Sequence, residues 1–410
     1  MSKSFTRDAK LLIKPLLILA NTNAVISLMS YVLTIALANI LGPVKFGMYS
    51  EIIILSGLLA ILVRFGTEHS ASASYIKSGS VKEVANNVFM IRLVCGLLCF
   101  SVLFVAENTN YLFVVLVLLA TLKNFDLSFL YEIRKKNERY SYVNLAERFV
   151  YISGAFILIY NDFIQIYGYL IILGIVTLAG ICFQLFDCKN YKYFQLSFRS
   201  KGLVENIKQN IPITVVAISI FAYGGFSRLI LEDKMGLEML GIYSLGWQLI
   251  TIGTIFQSLV YRLWRIRIAT VLKLGVRKNL IREIEIYLLL ATLPMVLVCG
   301  ALTVFAEPIV TTIFSSEYVE LIPLMPLFGL YIVLTSLAGL VEMLWVATLK
   351  NQVSMFVNIT FSVLLLTVLF KFSGSFEMID FLITTVVIHF LLIITLAYVW
   401  YLKFRNMVAG

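Results

Sequence analysis

Charge is what this sequence has least of. Asp, Glu, Lys and Arg make up only 14% of its 410 residues against 60% hydrophobic ones, and a chain so composed cannot cover a water-soluble globule with polar surface. Histidine is almost missing. With only His69 and His389 no three-imidazole metal site can be built, and neither stands in an HExxH pattern. The five cysteines, Cys95, Cys99, Cys182, Cys188 and Cys299, lack metal-finger spacing; four lie in apolar runs and are expected to pack as small hydrophobic side chains. There is no Asp-x-Asp. No metal and no cofactor are expected.

The mean hydropathy of +0.93 comes from long unbroken apolar runs, not from alternation, which favours membrane-spanning helices over a barrel. Twelve such runs can be counted: 16–40, 48–63, 88–105, 111–131, 143–160, 164–186, 211–231, 240–263, 286–305, 322–346, 353–370 and 379–401. The polar, basic start is followed by an apolar run without a small-residue cleavage site, so no removable signal peptide is expected. The expected fold class is an all-α integral membrane protein of about twelve helices: a six-helix bundle over 1–190, a cytoplasmic linker over 191–210, and a second six-helix bundle over 211–410.

Cytoplasmic loops of membrane proteins collect Lys and Arg. With a cytoplasmic N-terminus, 29 of the 33 basic residues fall on the cytoplasmic side and four, Lys45, Arg228, Lys234 and Lys371, on the other. Both termini are then cytoplasmic. The net charge of +10 reads as a topology signal and no nucleic-acid partner is expected.

One stretch occurs twice. Gly42-Pro43-Val44-Lys45-Phe46-Gly47-Met48-Tyr49-Ser50 returns 194 positions later as Gly236-Leu237-Glu238-Met239-Leu240-Gly241-Ile242-Tyr243-Ser244. Each copy follows an apolar run and precedes another, as expected of an internal duplication. Six helices per half make the repeat parallel, so both corners, marked by Gly42, Gly47 and Tyr49 and by Gly236, Gly241 and Tyr243, fall on the external side. Two bundles related by an axis along the membrane normal, with a cleft between them, are expected.

Polar groups inside spans are the candidate functional residues, because a charge at a helix centre costs about 2.5–3.5 kcal/mol on insertion scales. Lys123 and Asp126 stand three apart in the fourth run, where they can pair on one helical face. Asn21 and Asn23 place hydrogen-bonding groups in the first helix, where they must find another helix or the cleft. Pro294 and Pro326 permit kinks, and His389 is read as a packed imidazole.

Ile40-Leu41-Gly42-Pro43-Val44-Lys45-Phe46-Gly47-Met48-Tyr49, then Phe65-Gly66 and Ser70-Ala71-Ser72-Ala73, followed in the second half by Arg228-Leu229-Ile230-Leu231, Leu240-Gly241-Ile242-Tyr243-Ser244, Ala306-Glu307-Pro308 and Ser316-Glu317-Tyr318, resemble the polysaccharide transporters of the multidrug/oligosaccharidyl-lipid/polysaccharide (MOP) exporter superfamily. The resemblance runs from about Asn39 to Asn358. It implies a flippase that carries undecaprenyl-pyrophosphate-linked oligosaccharides, of O-antigen or capsule type, across the bacterial cytoplasmic membrane by alternating access. It also implies membrane lipid and a polysaccharide polymerase machinery as partners, and coupling to H+ or Na+. Arg64 and Ser227 stand where members of the family often carry an acid, which leaves the coupling ion open. By resemblance, helices one, two, seven and eight flank the cleft, so Arg64 and Arg228 are candidate cationic stations for the pyrophosphate. The alternatives are a multidrug or organic-cation antiporter of the same superfamily, which would want carboxylates in the cleft, and a membrane polymerase or ligase, which would want an acid/base or metal constellation in an external loop.

Overall fold

The computed structural model describes residues 2–106, 111–134, 136–160, 166–187, 192, 203–274, 277–347 and 351–408, and every regular element among them is helical. In chain order the α-helices are α1 Ser2–Arg64, α2 Thr67–Ser78, α3 Val81–Ala106, α4 Tyr111–Thr121, α5 Ser128–Ile133, α6 Asn137–Tyr160, α7 Ile166–Phe186, α8 Leu203–Phe221, α9 Ser227–Leu274, α10 Arg277–Tyr287, α11 Leu293–Val304, α12 Ala306–Ile313, α13 Met325–Ala347, α14 Asn351–Phe372 and α15 Met378–Val408. Most of the expected linker lies outside the described residues, and from Leu203 onward the chain is already helical.

Nine stretches among the described residues are long and apolar enough to cross a membrane. Two of them, Ala24–Arg64 and Leu203–Thr251, each hold more than one of the expected spans, and α6, which bears Glu138, Arg139, Glu147 and Arg148, falls outside the nine. The protein is thus a multi-pass membrane protein. Its helices bury only part of their apolar surface. On α3, Val94, Leu97, Leu98, Val102 and Val105 remain exposed at spacings of three and four, a stripe suited to lipid.

The chain separates into two compact units, one of Met1–Leu33 with Ile52–Ala217 and one of Thr34–Glu51 with Ile218–Gly410. The first corner thus counts with the second unit. In that unit α13 is central, with α9, α11 and α15 packed on it. Glycines set how close the helices come: a methyl group on Gly246 would strike Phe328, one on Gly253 would strike Ile332, and one on Gly329 would strike Cys299. Two indoles tie α13 to α15 reciprocally, Trp345 donating to the Leu396 carbonyl (3.1 Å) and Trp400 to that of Leu344 (3.2 Å).

The expected fourth span is among the nine, as Leu112–Ile133, but it is not one continuous α-helix. α4 stops at Thr121, a 3-10 turn takes Leu122–Phe125, and Asp126 is extended at ψ 157°. Side chains replace the lost helical partners: Asn124 donates to the Thr121 carbonyl (2.8 Å), Gln184 accepts the Leu127 N–H (2.8 Å), and Arg92 caps the carbonyls of Asn124 and Asp126 (2.9 and 2.7 Å). The two prolines expected to permit kinks both stand where the helical geometry changes. Pro294 opens α11 behind a π-helical turn, Leu288–Thr292, and Pro326 is second in α13 behind the 3-10 run Ser316–Leu324.

Candidate functional site

Within the first unit the break after α4 gathers charges. The Arg92 side chain is 2% exposed and that of Asp126 4%, with Nη1 and Oδ1 3.8 Å apart. Arg92 Nε donates to Thr67 Oγ1 (3.1 Å), and its guanidinium lies over the Phe129 ring at 5.4 Å. Asp126 accepts from Ser128 (2.8 Å) and from the Tyr140 phenol (2.7 Å). Burial, and then the Asp126 carboxylate, hold that phenol well above the ordinary tyrosine range, so it remains a donor.

The expected Lys123–Asp126 pair is not formed, because Asp126 is taken by Arg92, Ser128 and Tyr140. Lys123 instead holds both carboxylate oxygens of Glu147 on α6, at 2.7 and 2.6 Å. Arg64, at the end of α1, pairs with Glu68 one turn on (2.7 Å), and its charge acts on Asp126 together with that of Arg92. The side chains of Asn21 and Asn23 lie outside the described residues.

The two corners meet inside the second unit. Gly42 (φ 69°, ψ 170°) and Gly236 (φ 84°, ψ 179°) each break an otherwise continuous helical run in a backbone region open only to glycine. Gly47 and Gly241 are helical and serve another purpose. A Cβ on Gly47 would fall on the Leu237 carbonyl and one on Gly241 on the Pro43 carbonyl, so the corners cross backbone to backbone in a reciprocal contact. The Ser-Glu-Tyr segment closes over the first corner. Tyr318 donates to the Ala38 carbonyl (3.0 Å), and Asn39 donates to the Ile313 carbonyl (2.8 Å) while accepting the Ser315 N–H (3.0 Å). The repeated tyrosines differ, Tyr49 being half-buried against Phe46 and Tyr243 fully buried beside Trp247 and Phe328.

Behind the second corner lies an aromatic interior with one cation. Arg228, on the first turn of α9, hydrogen-bonds the Gly224 carbonyl and lies over the Trp247 ring at 5.5 Å, and among the described residues no carboxylate pairs with it. Trp247 contacts Tyr331 (5.1 Å between centroids), Tyr331 stacks on His389 (4.9 Å), and His389 meets Tyr223 edge to face (5.2 Å). Sequence reasoning reached Arg228 but missed Trp247, Tyr331 and Tyr223, whose types are ordinary in membrane helices. It also missed Arg92, although an arginine within an apolar run was a usable signal.

In chemical terms a guanidinium binds phosphate oxygens in pairs, and aromatic faces accept the C–H surface of a pyranose. Residues 12–261 match the family model described as polysaccharide biosynthesis protein, while no curated protein matches the chain. Among solved structures it is similar to an inward-facing multidrug resistance MATE family transporter of the MOP superfamily, at 14% identity over 93% of this chain and 95% of that one with a TM-score of 0.73. It is also similar to an outward-facing one, at 13% identity, 96% of each chain and a TM-score of 0.66. A MOP superfamily transporter from Pyrococcus furiosus, described as having a binding pocket of reversed polarity, matches at 12% identity over 96% and 94% of the two chains, TM-score 0.61. The family model spans more than half of the sequence and the helices take the MOP exporter fold, and the chain therefore belongs to the polysaccharide biosynthesis protein family.

Proposed function

We propose that this protein is a flippase that moves undecaprenyl-pyrophosphate-linked oligosaccharide units, of O-antigen or capsule type, across the bacterial cytoplasmic membrane by alternating access, with both termini cytoplasmic. The observation that carries this reading is Arg228, a guanidinium held in an aromatic interior without a carboxylate partner among the described residues. A fixed cation there favours an anionic cargo such as a pyrophosphate, and the surrounding rings suit the attached sugars. Arg64 is the second candidate station, though Glu68 already holds it. The MATE-like fold keeps a second reading in view, an organic-cation antiporter, but a cationic cargo would be repelled by Arg228.

Surface polymer in cells carrying single substitutions tests this. Arg228→Ala should lower it about tenfold or more at unchanged protein level, as expected for losing one charge-assisted contact of about 1.5–3 kcal/mol. Lys at 228 should restore only part, because an ammonium lacks the paired donors. Unchanged polymer with Arg228→Ala would dispose of the proposal, and export of cationic dyes by the wild type would favour the antiporter.

A further inference from the structure

His389 packs tightly and bonds to nothing. It is 8% exposed, its ring is stacked on Tyr331 and edge-on to Tyr223, and neither ring nitrogen has a hydrogen-bond partner among the described residues. A buried polar group in that condition calls for an explanation, and for an imidazole the simplest missing partner is a proton. Imidazole is the one side chain whose ordinary titration falls between pH 5 and 8.

Its neighbours connect it to Arg228. Tyr223 belongs to a π-helical turn, Ala222–Phe226, between α8 and α9, and such turns often sit at functional hinges. The next residue of that turn, Gly224, offers the carbonyl that holds Arg228 Nε. It also lacks a side chain where one would strike Trp247. One five-residue turn therefore touches the histidine through its tyrosine and the arginine through its glycine. The titratable groups facing His389 are the phenols of Tyr223 and, from α13, Tyr331; Arg228 and Tyr243 stand beyond Trp247 on α9, and α14 brings the Ser362 hydroxyl, which donates to the Ser219 carbonyl, and, around Phe226 at the far end of the turn, Thr367 and Lys371. Among the described residues no carboxylate pairs with the imidazole.

We propose that His389 takes up the proton coupled to transport, and that the turn at Ala222–Phe226 conveys the added charge to Arg228. The lone pair of one ring nitrogen accepts the proton from water while the other nitrogen keeps its hydrogen. The imidazolium then lies against two π faces that favour a cation, with the Arg228 guanidinium two rings away, beyond Tyr331 and Trp247. Moving Tyr223 towards or away from the ring shifts the carbonyl that positions Arg228. The inference rests on the protein being a transporter and is indifferent to its cargo.

Because the sequence has only two histidines, His69→Gln leaves one imidazole to observe. The full-length His69→Gln protein in lipid nanodiscs, with nitrogen-15-labelled histidine, should show a single protonation step between about pH 4 and 8. Tryptophan emission should step at the same midpoint and lose the step in Trp247→Phe and in His389→Gln. Adding Arg228→Gln should raise the midpoint by about 0.5 unit or more, since a like charge has been removed. An imidazole silent over the whole range, an emission step that survives His389→Gln, or a midpoint unmoved by Arg228→Gln would each overturn the proposal. The imidazole titration needs no change at position 389, so a misfolded His389→Gln does not rescue it. Titration without polymer export would fell the cargo reading and leave this one standing.

Discussion

A methyl group at Gly47 would have to occupy the place of a carbonyl oxygen. The Leu237 carbonyl lies there, and the reciprocal arrangement holds Gly241 against the Pro43 carbonyl. Backbone cannot swing aside as a flexible side chain can, so Gly47→Ala and Gly241→Ala should each destabilise the protein by roughly 1–3 kcal/mol, the usual cost of overpacking. Gly42→Ala should cost a comparable amount for another reason, the strain of a left-handed φ of 69°. The contrast is Gly300→Ala, helical with open space at its Cβ, which should be neutral or slightly stabilising. Thermal melting in one detergent checks all four, and equal losses at 47 and 300 would refute the close approach. That these glycines matter was legible in the repeat. Why was not, because a sequence match cannot tell the glycine needed for its φ, at 42 and 236, from the glycine needed for a crossing, at 47 and 241.

At the scale of elements the informative place is the break after α4. Hydropathy reads 111–131 as one span, since Leu, Val and Phe look alike in a helix, a turn or a buried extended segment. Only Arg92, Asn124 and Gln184, arriving from three places in the chain, supply the donors and acceptors that let the backbone leave its ladder inside an apolar environment. Taking away one member should then hurt more than taking away two. Arg92→Met leaves the Asp126 carboxylate buried without its guanidinium and should cost about 3–5 kcal/mol, while Arg92→Met with Asp126→Leu should recover part of that loss. Denaturant unfolding of the purified protein measures both, and a double variant worse than the sum of its singles would refute the pairing. Tyr140 adds a pH signature. Its folded-state value is raised, so its contribution is fully present below the ordinary tyrosine value of about 10 and fades as pH climbs towards the raised one. The cost of Tyr140→Phe should therefore be constant from about pH 6 to 9 and shrink above that.

For the whole molecule, charge distribution and corner contacts bear on the same question by separate routes. With twelve spans and a cytoplasmic N-terminus, 29 of 33 basic residues are expected on one side, without any indication of which loops are neighbours. The structure supplies the neighbours without a membrane: the first corner crosses the second at Gly47 and Gly241, and Asn39 and Tyr318 bind the end of the first helical arm to the segment at 313–318. Three loops distant in sequence must then emerge on one face, and a single reporter can orient all of them. A fusion active only outside the cytoplasm should be active at Ser315, and so also when inserted at Gly236, while fusions at Lys136 and Asn206 stay silent. Activity at Lys136 would break the charge-based orientation but leave the corner contacts untouched. A split between Ser315 and Gly236 would do the reverse, since no orientation of the membrane can separate two loops joined through the same helix end.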